Sequence, residues 1–312
     1  MRRPRRIAQA LVLAVVALAA ASACGNAGDE TGGSQPQGLD LNVTLGTKNF
    51  DEQFLLGELY KQALGARGYK VTLKQNIGST EVIDGSLQRG DIDGYPEYLG
   101  VAATVLARQD VEGKNAQQTY DVARKFYGSR GQALSEQTRF ENVDAIATTV
   151  FFAQRHGLES LADLRKLRRF TLGARPEFED RVQGLAGMQS TYGLTNGTLR
   201  PLAIGTQYKA LDRNDIDVAN VFSTDGQLAN GQYKVLEDPK RLFGYQHAAL
   251  VIDRAKLKRL GGDRFMDVIN RLNARLTTPA LIEMNRAVSV EGLEPAAVAQ
   301  RFLTDNGLVR RD

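Results

Sequence analysis

Side chains that commonly carry catalysis are scarce and scattered in this 312-residue chain. It has two histidines, His156 and His247, far apart in sequence. There is no Gly-x-Ser-x-Gly elbow, no paired-histidine metal motif and no glycine-rich phosphate loop. His156 sits in Gln154-Arg-His-Gly157, the pattern of a helix C-terminus with a solvated imidazole. One remaining histidine does not make an active site. The single cysteine, Cys24, allows no intramolecular disulfide, so the core alone must hold the fold. Neither an enzyme, a metal site nor a cofactor is expected.

Cys24 stands in a particular setting. Four arginines within the first six residues precede an uncharged, mostly apolar stretch from Ile7 to Ala23, which ends Ala21-Ser-Ala-Cys24. A basic start, a short apolar core and small residues at the end make a secretory signal. The run is too short and alanine-rich for a transmembrane helix of about 20 apolar residues. Ala-Ser-Ala-Cys at that point resembles the lipobox of bacterial lipoproteins. The resemblance implies a signal peptide over 1–23 and a lipid on Cys24 that tethers the chain to the outer face of a membrane. Residues 24–41 are mostly small and polar, the composition of a flexible leash. The leader's four arginines account for the whole formal net charge of +4. The body is thus balanced, without a Lys/Arg block that would suggest nucleic acid.

The elements that must position any site alternate. Asn42–Gly46 and Tyr69–Leu73 read as strands; between them Asp51–Ala66 has apolar residues at helical spacing. Asn49 and Glu52 suggest a capping box, and Gly68 a stop. This β-α-β pattern argues for an α/β fold. A weak repeat runs through it. Val43-Thr-Leu-Gly-Thr-Lys48 recurs as Phe170-Thr-Leu-Gly-Ala-Arg175, 127 residues on. Leu87-Gln-Arg-Gly-Asp-Ile-Asp93 recurs as Leu211-Asp-Arg-Asn-Asp-Ile-Asp217, 124 residues on. Nearly equal offsets predict two lobes of the same strand order. Ligands of open α/β sheets bind beyond the carboxyl ends of the strands, so two facing lobes would share one cleft and close by a hinge.

Four segments carry a further likeness: Gly46-Thr-Lys-Asn-Phe-Asp-Glu-Gln53, Ile77-Gly-Ser-Thr80, Gly90-Asp-Ile-Asp-Gly-Tyr-Pro-Glu-Tyr98 and Phe222-Ser-Thr-Asp-Gly226. In combination and order they resemble the glycine betaine/choline/carnitine solute-binding proteins of osmoprotectant ABC importers. The likeness extends from about residue 42 to the closing Val290-Glu-Gly-Leu-Glu-Pro-Ala-Ala-Val298. It implies a two-lobe periplasmic-binding-protein fold of the second type, each lobe a mixed sheet flanked by helices, with two hinge crossovers. Lobe I is expected over 42–143 plus 247–312 and lobe II over 144–246.

That family holds a quaternary ammonium in a cage of aromatic faces through cation–π attraction, and a carboxylate on basic residues. By position, Lys48 matches the basic residue after the first strand. Tyr98 matches a cage tyrosine, although Leu99-Gly-Val101 follows where the family has Thr-Gly-Thr. Arg181 matches the carboxylate-binding arginine; an ion pair with Glu177 or Asp180 is the alternative. Phe222 keeps a cage aromatic without the hydroxyl, or is a plain core residue. Two positions depart from the pattern. Asp144 stands where the family has a cage tyrosine. Gln246 stands at another, unless a one-residue shift brings Tyr245 there. An aspartate would attract a cation by charge and also accept N–H donors. The ligand expected is therefore a small cationic or zwitterionic solute such as a betaine, choline, carnitine or an amino-acid derivative. The partners expected are an ABC permease with its ATPase, the protein itself acting as a monomer. A sensor that uses the same clamshell is the alternative.

Overall fold

The computed structural model describes residues 39–310. Cys24, its leader and most of the leash lie outside these residues. Ten strands form in chain order: β1 Asn42–Gly46, β2 Lys70–Lys74, β3 Gly94–Tyr98, β4 Gln132–Leu134, β5 Asp144–Thr149, β6 Phe170–Ala174, β7 Gly197–Pro201, β8 Val218–Phe222, β9 Tyr233–Val235 and β10 Ala248–Asp253. They make two five-stranded sheets, ordered β2-β1-β3-β10-β4 and β7-β6-β8-β5-β9. In each, three strands run parallel and a fourth pairs antiparallel with the third. Helices flank both sheets, as in the two-lobe fold expected. Among the described residues no helix is long and apolar enough to cross a membrane.

The sequence repeat has a structural cause. The Oδ2 of Asp93 accepts the backbone N–H of Thr44 at 2.7 Å, and the Oδ2 of Asp217 accepts that of Thr171 at 2.7 Å. The neighbouring isoleucines press on the repeat's glycines. A Cβ on Gly46 would lie 2.7 Å from Cδ1 of Ile92, and one on Gly173 2.4 Å from Cδ1 of Ile216. Thr-Leu-Gly and Asp-Ile-Asp thus form one joint, built once per sheet, that locks the first and third strands together.

Both sheets are apolar on both faces, as buried strands must be. Along β10, Ala248, Leu250 and Ile252 join one core, with Leu45, Leu55 and Leu59, while Ala249 and Val251 join another, with Ile83 and Tyr95. In the second sheet, Ile146 and Val218 face one core, Ala147 and Val221 another.

The helix after β1, α1 (Asp51–Gly65), departs from expectation at its start. Phe50, not Asn49, occupies the cap position and makes no side-chain cap bond. Glu52 is turned inward instead, for a reason that lies in the cleft. Gly68 follows the helix at φ +90°, the left-handed geometry that stops it. His156 ends the helix Val150–His156 ahead of left-handed Gly157 and is half-buried, its ring 4.4 Å from that of Phe152.

The chain passes between the sheets twice, from β4 to β5 and from β9 to β10. The two passages run side by side. The N–H of Asn142 donates to the carbonyl of Gln246 at 3.0 Å, and Glu141 bridges His247. His247 spends its ring here: Nδ1 lies 2.8 Å from the Phe140 carbonyl and Nε2 2.9 Å from Oε1 of Glu141. Burial opposes the imidazolium, but these partners prevail and its pKa is raised. His247 is therefore a clip between the crossovers.

Candidate functional site

The cleft lies where the parallel strands of both sheets end. Its space, partly open to solvent, is about 430 Å³. Lys48, Tyr98, Asp144, Arg181, Phe222 and Gln246 all line it. Tyr245 is not among the lining residues; its hydroxyl receives Nη1 of Arg241 at 3.3 Å. Phe50, Asn142 and Arg175, which the sequence motifs did not single out, line it as well.

The two lobes supply matching parts. Lys48 follows β1 and its Nζ lies 5.0 Å from the Tyr98 ring centroid, at the end of β3. Arg175 follows β6 and lies 5.4 Å from the Phe222 ring centroid, at the end of β8. Arg175 stands in the repeat where Lys48 stands, as Phe222 stands for Tyr98. The repeat was therefore the signal that could have found Arg175. Phe50 joins the pairs: its ring stacks on Phe222 at 5.6 Å and on Tyr98 at 6.2 Å, with interplanar angles of 16° and 21°.

Both cations already hold anions. Lys48 is buried, donates to Oγ1 of Thr80 at 2.7 Å and pairs with fully buried Glu97. Burial pushes the Lys48 ammonium down and the Glu97 carboxyl up, each restrained by the other's charge. Arg175 grips Asp144 in a two-pronged pair, Nη1 to Oδ1 at 2.8 Å and Nη2 to Oδ2 at 3.0 Å. Asn220 braces both, receiving Nη1 of Arg175 at 2.5 Å and donating to Oδ1 of Asp144 at 2.9 Å. Asp144 therefore does not stand in the cleft as a free negative charge. The expectation that it attracts a cation by its own charge is corrected: a guanidinium 31 residues away in sequence already neutralises it.

Arg181 is different. Its partner is neither Glu177 nor Asp180 but Glu81, on the first turn of α2 (Thr80–Gln88), with Nη2 3.1 Å from Oε1. Glu177 instead lies 3.7 Å from Nε of Arg175. The Arg181 side chain is 10% exposed and that of Glu81 48%, so this pair is the weakest hold on any cation of the cleft. Gln246 is buried; its Oε1 accepts from the Val101 N–H at 3.1 Å and its Nε2 meets Oε1 of Gln183 at 3.3 Å.

Glu52 explains its inward turn. Its Oε1 accepts from Oη of Tyr98 at 2.7 Å and Nδ2 of Asn142 at 2.6 Å. Its Oε2 accepts from Oγ1 of Thr224 at 2.5 Å and Nδ2 of Asn285 at 2.7 Å. One buried carboxylate thus ties α1, the end of β3, the first crossover and the Phe222–Gly226 segment together. Four donors compensate a charge that would otherwise be costly to bury. Nearby, desolvation, with the negative charges of Glu52 and Asp144, pushes the Asp225 carboxyl up to about 7. Hydrogen bonds from the Phe222 N–H at 3.0 Å and the Tyr208 hydroxyl at 2.6 Å resist that rise.

Residues 42–305 match the family model described as the substrate-binding domain of ABC-type glycine betaine transport systems. A glycine-betaine-binding protein of Pseudomonas aeruginosa is 29% identical over 279 residues, covering 86% of this chain and 88% of that one. An ergothioneine transport permease/ergothioneine binding protein of Helicobacter pylori is 27% identical over 85% of this chain and 48% of its own length. A crystal structure of a glycine betaine/carnitine/choline ABC transporter superposes with a TM-score of 0.69 at 26% identity, covering 85% of this chain and 99% of that one.

Proposed function

We propose, from the premise that this chain belongs to the family of substrate-binding domains of ABC-type glycine betaine transport systems, that its inter-lobe cleft captures a small zwitterion through Arg181. The family binds solute for an importer and catalyses no reaction. The observation that carries the reading is the meeting of five side chains in one cleft: Lys48 and Tyr98 from one sheet, Arg175, Arg181 and Phe222 from the other. Of the three cations, Lys48 and Arg175 are held by buried carboxylates, and Arg181 alone is held by an exposed one. A ligand carboxylate therefore displaces least at Arg181 and gains a charge-assisted bond there.

The lobes are residues 42–143 plus 247–312 and residues 144–246. Ligand touching both stabilises the closed form, because only there are all its contacts made. The closed form docks on a membrane permease, whose ATPase drives release. A lipid on Cys24 with its polar leash keeps the receptor close to that permease at high local concentration.

Calorimetry with glycine betaine, choline, carnitine and N-methylated glycines tests the reading. At least one is expected to bind with a Kd in the micromolar range. Failure of every ligand to bind more tightly than about 100 μM, roughly −5.5 kcal/mol, would overturn it.

A further inference from the structure

A second hollow lies away from the cleft and shares no lining residue with it. It holds about 1150 Å³, partly open to solvent, against about 430 Å³ in the cleft. Two helices form its walls. Thr278–Ser289 contributes Ala280, Glu283, Met284 and Ala287, and Pro295–Asp305 contributes Val298, Arg301, Phe302 and Asp305. Each set is spaced i, i+3, i+4, i+7, so each helix turns one continuous face to the hollow. Met284 and Val298 belong to the core of the first sheet, and Ala287 and Phe302 pack against it. The floor is therefore apolar.

The rim is charged. Arg139, from the first crossover, and Arg275, just past the helix Asp263–Asn273, join Arg301 there. All three are exposed. Among the described residues none of these guanidiniums has a side-chain hydrogen bond or a carboxylate within 4.0 Å. The three cations of the cleft, by contrast, all have carboxylate partners. Glu283 and Asp305 also line the hollow, so three cations against two carboxylates leave one positive charge over. Guanidiniums without partners favour an oxyanion, and a single excess charge matches a single anionic group. Small-molecule sites combine an apolar lining with a few polar groups in this way. From Ala280 to Ala287 the wall runs about 10 Å along the helix, room for an alkyl chain of medium length. A groove between two helix faces receives one such chain rather than a membrane surface.

We infer that this hollow is a second binding site, for an amphiphile with one anionic head and a linear apolar chain. The head lies among the rim arginines and the chain on the floor of Met284, Ala287, Val298 and Phe302. Burial of the chain supplies affinity and the arginines select the sign of the head. The inference does not depend on the solute proposed for the cleft.

The test is calorimetry on the purified protein with monomeric decanoate and decanesulfonate, alongside acetate, which has the charge without the chain, and decanol, which has the chain without the charge. Decanoate and decanesulfonate are expected to bind one per chain, about tenfold more tightly than decanol, with acetate showing no binding. The double variant Arg275→Gln, Arg301→Gln is expected to bring decanoate to within about twofold of decanol. Both arginines are exposed and without partners, so their loss leaves the fold intact. Arg181→Ala is expected to leave decanoate binding unchanged. Equal affinity for decanoate and decanol, no effect of the double variant, or loss of decanoate binding in Arg181→Ala overturns the inference. So does binding to vesicles of anionic lipid with none to monomeric decanoate, which would make the groove a membrane-facing surface. A concentration-dependent dimer in sedimentation that the double variant abolishes would assign the groove to a second copy and overturn it too.

Discussion

Arg175 and Arg181 show how far residue type falls short of residue role. Both are arginines of the same segment and both line the cleft. Arg175 is committed to Asp144 and Asn220, whereas Arg181 has an exposed partner and an unpaired Nε. The sequence motifs pointed to Arg181 and Asp144, but not to the guanidinium that neutralises Asp144. That pairing joins two strands of one sheet and has no local signature. Phe50 was inside a recognised motif yet hidden, because nothing in Lys-Asn-Phe says that its ring will lie between two other aromatics. Asp225 carries the residue-scale prediction. Its pKa of about 7 stands above an unfolded value near 3.8, so the folded protein holds an extra proton between those limits. The Asp225 contribution to stability therefore falls as pH rises from about 4 to about 7 and levels above that. Thermal melts across that range are expected to show this slope, and Asp225→Asn to flatten it. An unchanged slope in the variant would assign the effect to another group.

Among elements, the strands were legible and the helix start was not. β1 and β2 lie within a residue of their expected bounds, because their apolar runs and flanking turns are local. The doubled joint of Thr-Leu-Gly on Asp-Ile-Asp was legible as a repeat, since each copy packs against its own sheet. The start of α1 was misread because Glu52 answers to partners 46, 90, 172 and 233 residues away. A capping box is a local device, and distant donors outbid it for this carboxylate. The Phe222–Gly226 segment shows the same reach. A Cβ on Gly226 would lie 2.4 Å from Cα and 2.5 Å from N of Arg286, in the helix Thr278–Ser289. Backbone cannot yield as a side-chain tip does. Gly226→Ala is expected to destabilise the protein by roughly 1–3 kcal/mol, seen as a lowered urea midpoint, whereas Gly231→Ala, with open space around it, would owe its effect to backbone conformation alone. A midpoint unmoved by Gly226→Ala would show that the segment and helix are free to part.

For the whole molecule, the contacts that cross between the sheet-bearing halves include the stack of Phe50 on Phe222 and three polar ones: Thr224 to Glu52, Arg181 to Glu81 and Thr104 to Gln183. Polar contacts exchange readily with water, which suits surfaces that must separate and rejoin. The paired crossovers, clipped by His247 and Glu141, give that motion an axis. Two similar halves, two passages and one cleft were readable from the order of motifs. Which charges in the cleft remain available was not, because that depends on packing between segments remote in sequence. The proposed carboxylate site therefore turns on Arg181. The direct measurement is calorimetry of a carboxylate-bearing zwitterion and of choline on the wild-type protein and on Arg181→Ala. Loss of a charge-assisted bond predicts about 10- to 100-fold weaker binding of the zwitterion, with choline changed by less than about threefold. Equal loss for both ligands, or no loss for either, would contradict a carboxylate site at Arg181.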